Sequence, residues 1–135
     1  IGDRGVRSAD DARRYIREGP VAGYERYGYG LLRVALRDSD TPIGMCGVLK
    51  RDTLPDPDLG FSFLPAWWSQ GYALEAASAV MRHARNVLRL GRILAITTHD
   101  NDPSMRLLGK LGFRFERMTR LGDDETELRL FISEP

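Results

Sequence analysis

The plainest alternation of apolar and polar positions runs from Leu31 to Arg37. Leu32, Val34 and Leu36 fall on one side and Arg33 and Arg37 on the other, which predicts a strand with one wet face. Asp38-Ser39-Asp40-Thr41-Pro42 is turn chemistry. Ile43 to Leu49 then predicts the return strand of a hairpin, with Gly44 and Gly47 marking close approach of another backbone. Leu59 to Leu64 predicts a third strand, closed by Pro65 and preceded by a loop that Pro55 and Pro57 break. The period then lengthens. Ala73, Ala76, Ala77, Val80, Ala84, Val87 and Leu88 recur at helical spacing, opposite Glu75, Ser78, Arg82, Arg85 and Arg89, and Gly91 is the expected terminator. ILAIT, from Ile93 to Thr97, predicts a strand covered on both faces. A short helix follows, with Asp102 as cap, Pro103 at its first position and Gly112 at its end. Phe113 to Arg120 and Thr126 to Ile132 predict a closing hairpin. Ahead of the strands, Ser8 caps a first helix with the stripe Ala12, Tyr15 and Ile16, which Gly19-Pro20 stops. The Gly- and Tyr-rich stretch from Val21 to Gly30 is not assigned. The order is helix, three strands, helix, strand, helix and two strands, an α/β arrangement around one mixed sheet.

Composition narrows the classes. The 135 residues suffice for one domain, and 20 Lys and Arg against 19 Asp and Glu exclude a strongly basic nucleic-acid-binding domain. Apolar runs fall short of the ~20 residues that a membrane span needs. The opening IGDRGVRSADDARR has no apolar segment of a signal peptide, and the single cysteine, Cys46, forms no internal disulfide. A cytoplasmic protein is expected, a monomer or homodimer, binding neither nucleic acid nor membrane. There is no initiator Met, so 1–135 is read as one N-terminally incomplete domain.

Trp68-Ser69-Gln70-Gly71-Tyr72-Ala73 joins a strand to the long helix. A helix N-terminus presents unpaired N–H groups and positive partial charge, and small residues there let a phosphate reach the backbone. No Gly-Lys-Ser/Thr follows, and the turn is no dinucleotide fingerprint. Downstream stand Asn101-Asp102-Pro103-Ser104 and Leu107-Leu108-Gly109-Lys110-Leu111-Gly112-Phe113. Together these resemble the Gcn5-related N-acetyltransferases. Trp68, Gly71, Tyr72, Ala73, Glu75 and Ala76 fit the Trp-x-x-Gly-Tyr-Ala-x-Glu-Ala pattern of the RimJ/RimL-like branch, and the second segment fits Asn-x-x-Ser … Lys-Leu-Gly-Phe. The resemblance covers about Leu31 to Ile132.

The resemblance implies a splayed sheet and acetyl-CoA as donor. The pantetheine arm is expected between the third and fourth strands read here, on backbone groups like those of Phe63 and Leu64. The pyrophosphate is expected on the amides from Gln70 through Gly71 and Tyr72 to Ala73. Asn101 is expected to contact the arm, with Ser104 beside it. Members carry a further strand and helix ahead of the one at Ser8, and these line the acceptor site.

Amine attack on a thioester needs a proton acceptor, a donor for the oxyanion and sometimes an acid for the leaving thiolate. Asp58, before Gly60-Phe61, is the candidate base, and a strand N–H near Leu64 is the candidate oxyanion donor. Where many members carry an acid tyrosine this chain has Leu108, which leaves Ser104 as candidate acid. His99 ends a strand that faces the ligand crevice and is a second candidate base. His83 has no metal-ligand partner in spacing, so no metal is expected. Cys46 reads as core, Trp67 and Trp68 as acceptor pocket or packing, and Arg82, Arg85 and Arg89 as a solvated face. The expected activity is direct transfer of acetyl from acetyl-CoA to a primary amine, on a protein N-terminus or a small molecule. The alternative is an acyl-CoA-binding sensor or scaffold without transfer. A nucleotide-phosphate binder is a weaker third, because no Lys or Mg²⁺ ligand accompanies the turn.

Overall fold

The computed structural model describes residues 5–135. Residues 1–4, part of the opening segment discussed above, lie outside the described residues. Helix α1 (Ala9–Ile16) starts where expected: Ser8 Oγ accepts the Asp11 N–H at 3.1 Å. It does not stop at Gly19-Pro20. One wide turn, Arg17–Val21, carries the chain past Pro20 into α2 (Ala22–Tyr27). Proline lacks an N–H and crowds the preceding turn, and a widened turn relieves both defects without ending the helix. The stop lies at Gly28, in the left-handed region at φ 82°, which glycine adopts without the steric cost a Cβ would bring.

A six-stranded sheet follows: β1 (Leu31–Ala35), β2 (Pro42–Leu49), β3 (Asp58–Phe63), β4 (Ile93–Thr97), β5 (Arg114–Thr119) and β6 (Leu128–Ser133), in spatial order β1-β2-β3-β4-β6-β5. Every pairing is antiparallel except β3 with β4, which are parallel neighbours as the strand-helix-strand pattern required. A Cβ on Gly47 would collide with the backbone of Gly30 and Leu31, and one on Gly44 would sit 2.5 Å from Ser62 O. The two glycines mark close backbone approach, as expected.

Helix α3 (Tyr72–Asn86) and helix α4 (Asp102–Lys110) cover one face. Cys46, Val48, Leu59 and Phe61 meet Ala77, Met81, Ala84 and Leu108 there. On the other face Leu94, Ile96, Leu130 and Ile132 pack under Leu54 and Leu121. α3 ends at Asn86, before Gly91, and Arg89 takes the left-handed backbone position at φ 56°. Arg85 is not part of a solvated face. Its guanidinium donates to the carbonyls of Leu90 and Gly91 and, at 2.9 Å, to Ser133 O and Oγ, tying the end of α3 to β6.

Candidate active site

The sheet is split. β3 and β4 share one register pair, Asp58 with Leu94, where the Leu94 N–H donates to Pro57 C=O at 2.8 Å. Beyond that pair no further β3–β4 partners occur, and a cleft opens toward the C-terminal ends of both strands. The ladders say which backbone groups face it. The Leu64 N–H donates to Ile43 C=O at 2.9 Å. Antiparallel pairing alternates, so Ser62 and Gly60 also direct their hydrogen-bonding groups at β2, while those of Phe61 and Phe63 point at β4. By the same alternation Ile96 faces β3. Leu64 is therefore not available as oxyanion donor or arm partner through its N–H. Phe63 C=O accepts the Trp68 indole N–H at 2.7 Å, leaving the Phe63 N–H and both Phe61 groups for the cleft.

The cleft walls include Gly60, Phe61, Thr97, Asn101, Ser104 and Leu108. Asn101, and not Asp102, caps α4: its Oδ1 accepts the Ser104 N–H at 3.2 Å. This fixes the Asn101 amide at the cleft edge with its NH₂ still to be used, and holds Ser104 beside it. Leu108 is fully buried. Thr97 is 6% exposed, and its Oγ1 is the one buried side-chain polar atom without a partner among the described residues.

Beyond the C-terminal end of β3 the turn into α3 is braced by its own side chains. Gln70 Nε2 donates to Ala66 C=O at 2.8 Å, so that side chain is already engaged. Trp67 packs edge-on against Tyr72 with centroids 5.8 Å apart, and the Trp68 ring lies exposed. Ser69 and Gly71 take left-handed backbone at φ 59° and 88°. No side chain caps α3, and its first bond runs from the Glu75 N–H to Gly71 C=O. The N–H groups of Tyr72, Ala73 and Leu74 precede that bond and have no partner within the helix. A Cβ on Gly71 would meet nothing within 4 Å, so the approach is open.

Asp58 lies at the closed end. It is fully buried, and Arg51 grips it with two bonds, Nε to Oδ1 at 3.0 Å and Nη2 to Oδ2 at 2.9 Å. Three residues of strand put it about 10 Å from Phe61. That placement couples Asp58 to Arg51 and gives it no open oxygen toward the cleft. His99 is exposed outside the cleft lining, and its carbonyl accepts from Arg129. Among the described residues no three His, Cys, Asp or Glu side chains gather as a metal-binding group. Cys46 is 1% exposed, and burial pushes its thiol up to about 12.

A larger cavity of about 270 Å³ lies between α1, α2 and the ends of β1 and β2, with Tyr15, Glu18, Tyr27 and Arg51 in its wall. It approaches the cleft at Gly60. A Cβ there would stand 3.0 Å from Leu49 and 3.4 Å from Leu31, which line the cavity, while Gly60 itself lines the cleft. Sequence reasoning missed Thr97, hidden in an apolar run, and Arg51, whose only signal was a cation seven residues before a buried acid.

A strand-helix-strand unit is splayed toward its C-terminal ends and runs into an uncapped helix. The family model for the acetyltransferase (GNAT) domain matches residues 3–114, and the chain belongs to that family. An uncharacterized N-acetyltransferase of Bacillus subtilis, YnaD, is 31% identical over 112 residues, which are 83% of this chain and 63% of that protein. The chain thus spans less than two-thirds of that relative's length. An acetyltransferase structure from Agrobacterium tumefaciens shares the fold with a TM-score of 0.81 at 20% identity, covering 96% of this chain and 74% of that one. A ribosomal L7/L12 α-N-protein acetyltransferase, RimL, in complex with coenzyme A superposes with a TM-score of 0.79 at 16% identity, covering 96% and 74%.

Proposed function

We propose that this chain is the catalytic domain of a RimJ/RimL-like N-acetyltransferase that passes acetyl from acetyl-CoA directly to a primary amine in a ternary complex. The observation that carries the reading is the cleft itself: unpaired strand backbone in line with the uncapped start of α3. An acyl-CoA fits these residues. The amides of Gly71, Tyr72 and Ala73, with that of Gln70, would hold the pyrophosphate. The Phe61 and Phe63 backbone and the Asn101 NH₂ would take the pantetheine arm, with Ser104 beside them. Acetyl-CoA supplies the activated thioester carbonyl. The Phe61 N–H is the donor best placed for the oxyanion, since Leu64 is taken by Ile43.

The acceptor amine would enter by the cavity under α1 and α2 and meet the cleft at Gly60. Asp58 keeps its place as the Arg51 partner, and water takes the amine proton. Ser104, beside Asn101 in the cleft wall, remains the candidate acid for the leaving thiolate. A protein N-terminus and a small-molecule amine are both within this reading, since neighbours of the fold include the RimL structure and a spermidine N-acetyltransferase from Vibrio cholerae. No helix among the described residues is long and apolar enough to cross a membrane. The reading places the enzyme in the cytoplasm, as a monomer or homodimer.

The test is thiol release from acetyl-CoA against a panel of peptide N-termini, polyamines and other primary amines, with the acetylated product identified by mass. Acceptor-dependent release is the expected result. Cofactor binding with no release for any amine would leave an acyl-CoA-binding module instead.

A further inference from the structure

The β4 strand reads Ile93-Leu94-Ala95-Ile96-Thr97, four apolar residues and one hydroxyl, all buried. Thr97 pairs with Arg129 on β6, so its place in the sheet is set by backbone alone. Its Oγ1 reaches no donor or acceptor, although Thr97 is 6% exposed. A buried hydroxyl without a partner costs stability, and valine would fill the same shape without that cost. Packing therefore does not explain the oxygen. Thr97 lines the cleft together with Ala95 and Ile96 of the same strand, and among the three it alone carries a side-chain polar atom. The pair Asp58–Leu94 fixes the level of the two strands, and three residues on from it stand Phe61 and Thr97. Thr97 thus stands at the level of Phe61 along the strands, between the closed end and Asn101.

We infer, resting on the reading that this cleft receives acyl-CoA, that Thr97 is a binding residue whose Oγ1–H donates to a carbonyl oxygen at the thiol-bearing end of that ligand. The carbonyl belongs either to the thioester or to the pantetheine amide nearest the sulfur. The bond completes the hydroxyl only when the ligand is bound, so stability of the free protein and affinity for the ligand pull in opposite directions at this position.

The experiment compares wild type, Thr97→Val and Thr97→Ser by thermal melting without ligand and by calorimetry with CoA and with acetyl-CoA. Thr97→Val is expected to melt at or above the wild-type temperature, because it removes an unpaired polar atom. It is expected to bind acetyl-CoA about 3- to 10-fold more weakly, as loss of one hydrogen bond predicts, and Thr97→Ser to restore the affinity. Weakening confined to acetyl-CoA assigns the thioester carbonyl, and equal weakening for CoA assigns the amide. Affinities of Thr97→Val within about twofold of wild type for both ligands overturn the inference. So does a lower melting temperature with unchanged affinity, which makes the hydroxyl structural. Wild-type protein that binds neither ligand overturns the cleft reading itself, a separable failure.

Discussion

Asp58 and Cys46 are both buried in the β2–β3 half of the sheet, and burial acts on them differently because only one has a partner. The Asp58 carboxylate keeps its charge company through two bonds to Arg51, itself 17% exposed. Asp58→Asn leaves the guanidinium half-answered in a mostly dry place. The expected loss is about 2–4 kcal/mol, below the full range for a buried pair because Arg51 retains some water. Urea denaturation measures it, and a loss under about 1 kcal/mol would mean that the pair does not hold the closed end. The folded variant also tests the proton acceptor: kcat/KM close to wild type at neutral pH fits water in that role, while a fall of ~10² or more would return Asp58 to it. Cys46 has no charge partner, and burial pushes its thiol up from an ordinary value near 9 to about 12. The folded pKa is raised, so its contribution to stability is intact below about 9 and is lost as pH climbs toward 12. Native protein should resist a thiol reagent at pH 8 and react on denaturation, whereas rapid native labelling would contradict the burial. The burial of Cys46 was legible from its apolar neighbours. The Asp58 pairing was not, because a charged residue at a strand start is ordinarily wet, and only the fold of the Pro55–Pro57 loop brings Arg51 onto it.

Among the elements, the start of α3 carries the clearest signal in the sequence and the clearest geometry. Trp68, Gly71 and Ala73 each have a local reason to be there: the indole ties back to Phe63, Gly71 turns the chain at φ 88°, and Ala73 leaves the first turn bare. Local chemistry of this kind is what a sequence shows best. Where elements depend on relief of a local defect, the reading was poorer: Pro20 promised a stop and the helix widened instead. Gly71→Asp is expected to abolish tight acetyl-CoA binding through like-charge repulsion in the open approach to the amides. The left-handed backbone adds strain of about 1–2 kcal/mol for any side chain. Gly71→Asn carries comparable strain without the charge and separates the two effects. Calorimetry should rank affinity wild type above Asn above Asp. Equal affinity for Asn and Asp would remove the pyrophosphate from this turn.

At the scale of the whole molecule the sheet is two three-stranded halves, β1-β2-β3 and β4-β6-β5, joined in the sheet by the Asp58–Leu94 pair and spanned by α3. The parallel β3–β4 contact followed from the alternation of patterns, because a strand-helix-strand unit has few ways to close, whereas the place of β6 between β4 and β5 did not. The splay entered only through family resemblance, since hydrophobic period says which face a residue takes and nothing of how far two strands diverge. The split makes a prediction that single substitutions cannot. A ligand running down the cleft would bond both halves and so act as the missing stretch of ladder. Without ligand, the amides of Phe61, Phe63 and Ile96 face the gap and should exchange hydrogen quickly for strand positions. Leu64 donates to Ile43 and Leu94 to Pro57, so both should be protected throughout. Saturation with CoA at about 100 times its dissociation constant should raise stability by about 2.7 kcal/mol, and the new protection should concentrate at the gap-facing amides. Protection that appears evenly over the chain would show global stabilisation without a cleft-specific contact. Protection at the gap-facing amides already present in the free protein would show that β3 and β4 pair beyond Asp58, and the cleft would not exist in solution.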